Sequence, residues 1–121
     1  MATMAKTLLS GGGSEVGGPI KVAATDITSS PTVIHTGSAS NTAHIDLMTV
    51  YLYNGNTAAE LVVLKLAGST DYLKFSVNPN ESILALDQIP LKGHGSTGYK
   101  LEAASDTANK VLVTGSVTTI R

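Results

Sequence analysis

Three histidines, His35, His44 and His94, and a serine just beyond the last of them, Ser96, are the side chains of this 121-residue chain best suited to chemistry. Imidazole serves as a general base or a metal ligand, and a hydroxyl beside it can become a nucleophile. The histidines fall on separate runs, without the close spacing of a local metal motif. The chain has no cysteine, which removes thiolate ligands and disulfides together. Ser96 sits in GHGSTG (93–98), which is not a G-x-S-x-G elbow. A hydrolase centred on His94 and Ser96 would further need a carboxylate that reaches His94 in the fold. Asp26, Asp46, Glu60, Asp71, Glu81, Asp87, Glu102 and Asp106 mostly fall in turns or at strand ends, where solvation and turn capping account for them. Neither glycine-rich stretch is followed by Lys-Ser/Thr, so both fail the phosphate-loop test. The expectation is a protein without catalytic residues, cofactor or metal.

Tyr51, Tyr53 and Tyr72 are candidates for binding. If their strands neighbour one another they share one outer face, a platform of the type that stacks on sugar rings. With four tyrosines, one phenylalanine and no tryptophan in the chain, covering a sheet or filling a protein contact is the other reading of the same residues. The net charge of −1, with lysines and arginine scattered singly, argues against nucleic acid and anionic lipid as partners. MATMAKTLLSGGG lacks the apolar core of a secretory signal, and no run approaches the ~18 apolar residues of a membrane helix. The expectation is a chain that does not cross a membrane by the signal route.

The elements that must position these residues read as strands. Short runs of Val, Ile, Thr and Leu alternate with Gly, Asn, Ser, Asp and Pro at a spacing of roughly 8 to 12 residues, the pattern of an all-β protein. The runs are Ile20–Ile27, Thr32–Thr36, His44–Asn54, Glu60–Gly68, Asp71–Val77, SILALDQI, YKLEAAS and Lys110–Ile120. They predict an antiparallel β-sandwich or jelly roll of about eight strands. Pro31 belongs at a strand start or edge, and Gly115 marks a bulge or bend in the closing strand. NGNTAA between His44–Asn54 and Glu60–Gly68 predicts an antiparallel hairpin. Alternation places Val62, Leu64 and Leu66 inward, with Leu61 and Val63 beside Lys65 on an outer face that a neighbouring subunit or a covering loop would explain. It places Leu73, Phe75 and Val77 inward, and sets Leu84 and Leu86 together opposite Ile83 and Ala85. The domain spans 20–121. Residues 1–19 read as a glycine-rich flexible arm, because GGGSEVGG has little but Val16 to bury against the entropy lost on ordering.

The succession LYNGNTAAELVVLKL, VNPNESILALDQIPLKGHG and NKVLVTGSVTTI resembles small β-sandwich virion proteins of tailed bacteriophages, most of all capsid decoration or cement proteins, over roughly Asp46 to Ile120. Where such chains often carry Gly-Asp, this one has Gly93-His94. The resemblance implies a jelly-roll body that docks on a major capsid protein lattice as a homodimer or homotrimer, on the capsid surface of a virion assembled in the host cytoplasm. On that reading the arm contacts its partner through Met4, Leu8, Leu9 and Val16, and one sheet face through Tyr51, Tyr53, Leu61, Val63 and Tyr72. A small tail or head-tail connector component and a glycan-binding β-sandwich module are the alternatives.

Overall fold

The computed structural model describes residues 4–11, 19–37, 43–66, 72–92 and 99–120. Within them the chain is all β, with nine strands: β1 (Met4–Leu8), β2 (Ile20–Lys21), β3 (Thr32–Thr36), β4 (Ile45–Asn54), β5 (Glu60–Leu66), β6 (Tyr72–Val77), β7 (Ser82–Lys92), β8 (Lys100–Ser105) and β9 (Val111–Ile120). A five-stranded sheet runs β1-β9-β4-β7 with β2 also on β9, and a four-stranded sheet runs β3-β8-β5-β6. All pairings are antiparallel. The pairs β5·β6, β4·β7, β3·β8 and β2·β9 nest inside one another like the rungs of one long ribbon. Folding that ribbon across itself adds the contacts β4·β9 and β5·β8, and the result is a jelly-roll sandwich.

One consequence is that β4 and β5 do not form the hairpin expected from NGNTAA. They belong to different sheets, and the loop between them crosses the edge of the sandwich. Asn54 fixes the crossing. Its side-chain amide donates to the carbonyls of Ala58 and Val77, both at 2.9 Å, and its side-chain oxygen accepts the Asn56 amide at 2.8 Å. A wholly buried asparagine with its polar atoms satisfied in this way turns the chain between layers at little desolvation cost.

The core lies between the sheets. Met48, Val50 and Leu52 of β4, Val62 and Leu64 of β5, and Val111, Val113 and Val117 of β9 are fully buried, as period-two alternation requires. Leu66 and Phe75 pack against this cluster, whereas Leu73, on the same row as Phe75 and Val77, is exposed near the start of edge strand β6. Alternation fails in β7. Two register shifts against β4, between Tyr51 and Val50 and between Val50 and Met48, insert extra β7 residues, and Gln88 takes a positive φ of 54° there. Leu84 therefore points outward opposite Tyr51 while Leu86 is buried opposite Val50, and Ile83 and Ala85 pack against the core. The expected pairing of Leu84 with Leu86 on one face is corrected by the bulge.

Gly115 is likewise not a bulge, since the β4·β9 register runs unbroken through it. A Cβ there would overlap the carbonyl oxygen of Thr49, so glycine lets two backbones approach. The strand expected over Ile20–Ile27 ends at Lys21. Beyond it the Val22 amide bonds the Val111 carbonyl and the Ser105 amide bonds the Ala24 carbonyl, which leads the chain from one sheet to the other. Ile27 then lies buried beside Leu61, Val63 and Ala104. A loop of its own chain thus lies beside the outer apolar face of β5, on which Leu61 stays exposed.

The N-terminal segment also differs from a free arm over its described part. Met4–Leu8 pairs with Ile120–Ser116, and Leu9 enters the core. Burying one leucine contributes about 2 kcal/mol, and the ladder to β9 adds to it. Leu9 is an anchor, but on its own sandwich. Met4 and Leu8 stay exposed, while Val16 lies outside the described residues.

Candidate functional site

The strongest polar constellation among the described residues joins β3, β4 and the N-terminal segment. A register shift between Val33 and His35 turns both Ile34 and His35 inward from β3, and Asp46 heads the inward row of β4. His35 Nε2 lies 2.7 Å from Asp46 Oδ2, so the pair bridges the two sheets. The Ser10 amide donates to His35 Nδ1 at 3.2 Å, which makes Nδ1 the acceptor and places the ring proton on Nε2, facing the carboxylate. Asp46 Oδ1 is buried without a hydrogen-bond partner among the described residues.

Serine, histidine and aspartate in contact invite comparison with a catalytic triad, and the geometry does not provide one. A triad needs the imidazole nitrogen opposite the carboxylate to receive the serine hydroxyl proton. Here that nitrogen is occupied by the Ser10 backbone amide, and the Ser10 hydroxyl accepts the Thr36 amide at 2.9 Å. His35 and Asp46 are each only 4% exposed, so a substrate has no route to them. The arrangement is a latch that ties residues 9–11 to β3 and β4, with the Gly11 amide bonded to the Ile34 carbonyl at 2.8 Å. His44 is half-buried at the start of β4; His94 and Ser96, the pair considered for hydrolysis, lie outside the described residues. No group of three His, Asp or Glu among the described residues is placed to hold a metal ion.

A second polar cluster closes the opposite end of the sandwich. Glu60 is buried at the start of β5, and its carboxylate accepts from the Asn56 side chain at 3.0 Å and the Thr107 amide at 2.8 Å. Burial pushes its pKa up, but the hydrogen bonds from Asn56 and Thr107, with the charge of Lys110, outweigh burial and hold it below the ordinary value. A depressed folded pKa stabilises the fold at pH above the unfolded value, and that contribution is lost as pH falls through the folded one. Glu60→Gln should therefore cost about 1.5 kcal/mol at pH 7, and the gap to the parent should narrow by pH 3. Urea midpoints at the two pH values check this; an equal gap at both would show that the charge contributes nothing. Asp26, by contrast, is exposed, and its pKa is lowered by the hydroxyl and amide of Thr28 within one turn.

The remaining feature is a surface. Tyr51 and Tyr53 point outward from β4 in the five-stranded sheet, whereas Leu61, Val63 and Tyr72 point outward from the four-stranded sheet. The sandwich separates them, so neither a three-tyrosine platform nor the single contact face expected from the sequence exists. Around Tyr51 and Tyr53 the five-stranded sheet gathers apolar residues that alternation had not brought together. Leu84 is paired with Tyr51, and Met4, Ile120 and Ile45 form one cross-strand row. Leu47 and Pro90 form another, in line with Thr118 and Lys6, and Leu8 stands one row further along at the β1 edge, in line with Ser116 and Thr49. Met4 is 69% exposed, Leu8 49%, Leu84 47% and Tyr51 45%. The sequence carried a trace of this: the apolar parity of SILALDQIPLK shifts from the even positions 84 and 86 to the odd positions 89 and 91, which one regular strand cannot do.

No protein-family model matches the chain, and no curated protein resembles it significantly in sequence. Among solved structures it is similar to a chain holding the CBM22-1 and GH10 modules of a Clostridium thermocellum endo-1,4-beta-D-xylanase complexed with xylohexaose, at 12% identity and a TM-score of 0.40. The alignment covers 98% of this chain and 24% of that one.

Proposed function

We propose that the protein is a non-enzymatic structural component of a phage virion, a decoration protein that lies on a major capsid protein lattice with the outer face of its five-stranded sheet against the shell. The observation that carries this reading is the outer face of that sheet, where Tyr51 with Leu84 and, beyond the polar row of Ser116 and Thr49, Leu47, Ile45, Ile120 and Met4 turn apolar side chains outward from four strands. Large apolar side chains gathered outward on one sheet face mark a protein contact more often than a solvated face. The sequence resemblance to decoration proteins supports the identity of the partner. Repetition over a shell suits an interface of small apolar contacts, since each copy held in place raises the effective concentration of the next contact.

Co-sedimentation with shells assembled from the coat protein of the same virus tests the proposal. The expected result is saturable binding at a fixed ratio to coat subunits, lost in a Tyr51→Lys, Leu84→Lys double variant that keeps the parent's melting temperature within a few degrees. Failure of the parent protein to bind shells would overturn it. A closed ring in the same sedimentation run would point to a tail or connector part instead, and a saccharide-dependent signal to a glycan-binding module.

A further inference from the structure

β1 and β2 lie end to end along the same edge of β9. Leu8 stands opposite Ser116 and Ile20 opposite Val113, so only Gly115 and Thr114 separate the two docking stretches. At ~3.3 Å per residue this gap is about 10 Å, and two residues of an uninterrupted strand would close it. The chain instead spends residues 9–19 on the passage.

The first of these residues have defined places. Leu9 fills the core, the Ser10 amide meets His35, its hydroxyl receives the Thr36 amide, and the Gly11 amide meets the Ile34 carbonyl. Residues 4–11 are therefore one docked unit, seated in a slot between β9 and β3. From Gly11 to Pro19 the chain can reach about 27 Å when extended, whereas recrossing the sandwich and covering the gap along β9 takes about 10 Å each. All five residues of β1 are exposed, so among the described residues the strand is held by its ladder to β9 and by the seat of residues 9–11, with no element folded over it.

We propose that residues 4–11 are an exchangeable strand, and that in closely packed copies the segment of one chain occupies the β9–β3 slot of its neighbour. The occupant is a second copy of this chain, because the slot is already fitted to this segment and exchange preserves every contact seen within one copy. What differs is effective concentration. The short length of chain between Gly11 and Pro19 holds the segment at a local concentration on the order of millimolar, so dilute molecules stay closed and exchange appears as copies crowd toward that value. Strand exchange of this type links protomers without a new interface having to be formed. The inference does not depend on the virion reading.

The absence of cysteine makes a clean test possible. Lys6 and Thr118 are cross-strand partners, and Thr114 lies in the gap where β1 does not reach. The Lys6→Cys, Thr118→Cys double variant should close an intramolecular disulfide in dilute solution, which verifies the slot. Single variants Lys6→Cys and Thr118→Cys, one isotopically heavy so that mixed pairs are read by mass, should cross-link to each other increasingly between ~10 µM and ~1 mM. At the upper end the yield should exceed that of Lys6→Cys with Thr114→Cys by about tenfold. Equal yields for the two pairings, with the double variant closing normally, would overturn exchange. Failure of the double variant to close would overturn the slot itself and the proposal with it.

Discussion

His35→Ala should cost about 3–5 kcal/mol, the range for leaving a buried charge without its partner. The reason lies in what stays behind. Asp46 Oδ2 loses its donor at 2.7 Å, and Oδ1 already has none among the described residues, so a carboxylate would be buried with neither oxygen satisfied. The Ser10 amide loses its acceptor at the same time, which weakens the hold on residues 9–11. Against a typical domain stability of 5–15 kcal/mol the variant should be marginal. Replacing both members, His35→Leu with Asp46→Leu, removes the stranded charge and should recover most of the loss. Urea denaturation of the parent, both single variants and the double variant closes the cycle. A His35→Ala variant within 1 kcal/mol of the parent would show that Asp46 is compensated in some other way.

Gly115→Val should cost about 3 kcal/mol or more, at the upper end of overpacking effects. The added Cβ would overlap the Thr49 carbonyl oxygen and stand 3.1 Å from both the Thr49 carbonyl carbon and Val50 Cα. Backbone atoms in the middle of a sheet cannot rotate away as a side chain can, so the β4·β9 ladder must open locally. Gly37 supplies the contrast. A Cβ there would meet the Leu91 side chain at 3.4 Å and the Tyr99 carbonyl at 3.5 Å, ordinary contact distances, and Gly37→Ala should stay within about 1 kcal/mol of the parent. Thermal melts of the two variants side by side check the pair; equal losses would mean that the close approach at Thr49 is not what limits position 115.

Fold class was legible because the inward rows are chemically uniform: Met48, Val50 and Leu52, or Val62 and Leu64, can face only a core. Sheet membership was not. Six residues of NGNTAA fit a hairpin loop and a crossing between layers equally well, and the difference lies in where Asn54 sends its hydrogen bonds. One signal was present and unused. The inward row of β4 reads Asp46, Met48, Val50, Leu52, Asn54, with polar residues at both ends, and each marks an end of the core where a second element supplies a partner. Part of the candidate surface was visible in Tyr51 and Tyr53. Leu84 was hidden by a bulge that reverses parity, and Ile45, Ile120 and Met4 by a row that exists only once three strands from distant parts of the sequence lie side by side. Over Met4–Leu9 the segment departs from a free arm because MAKTL can pair with β9, a capacity that the neighbouring glycines hide.

The nested ribbon also sets a schedule for biosynthesis. Its innermost rung, β5·β6, joins residues close in sequence and can zip as soon as both have left the ribosome, whereas β1 finds its partner only in residues 116–120. At ~5–20 residues per second the first strand waits on the order of ten seconds for the strand that will cover its edge. During that interval Leu9 has no core to enter, and on a polysome each such end travels near others like it. Mean sequence separation of this size also slows the final closure. Proteolysis of arrested nascent chains should accordingly find the N-terminal segment sensitive until β9 has emerged.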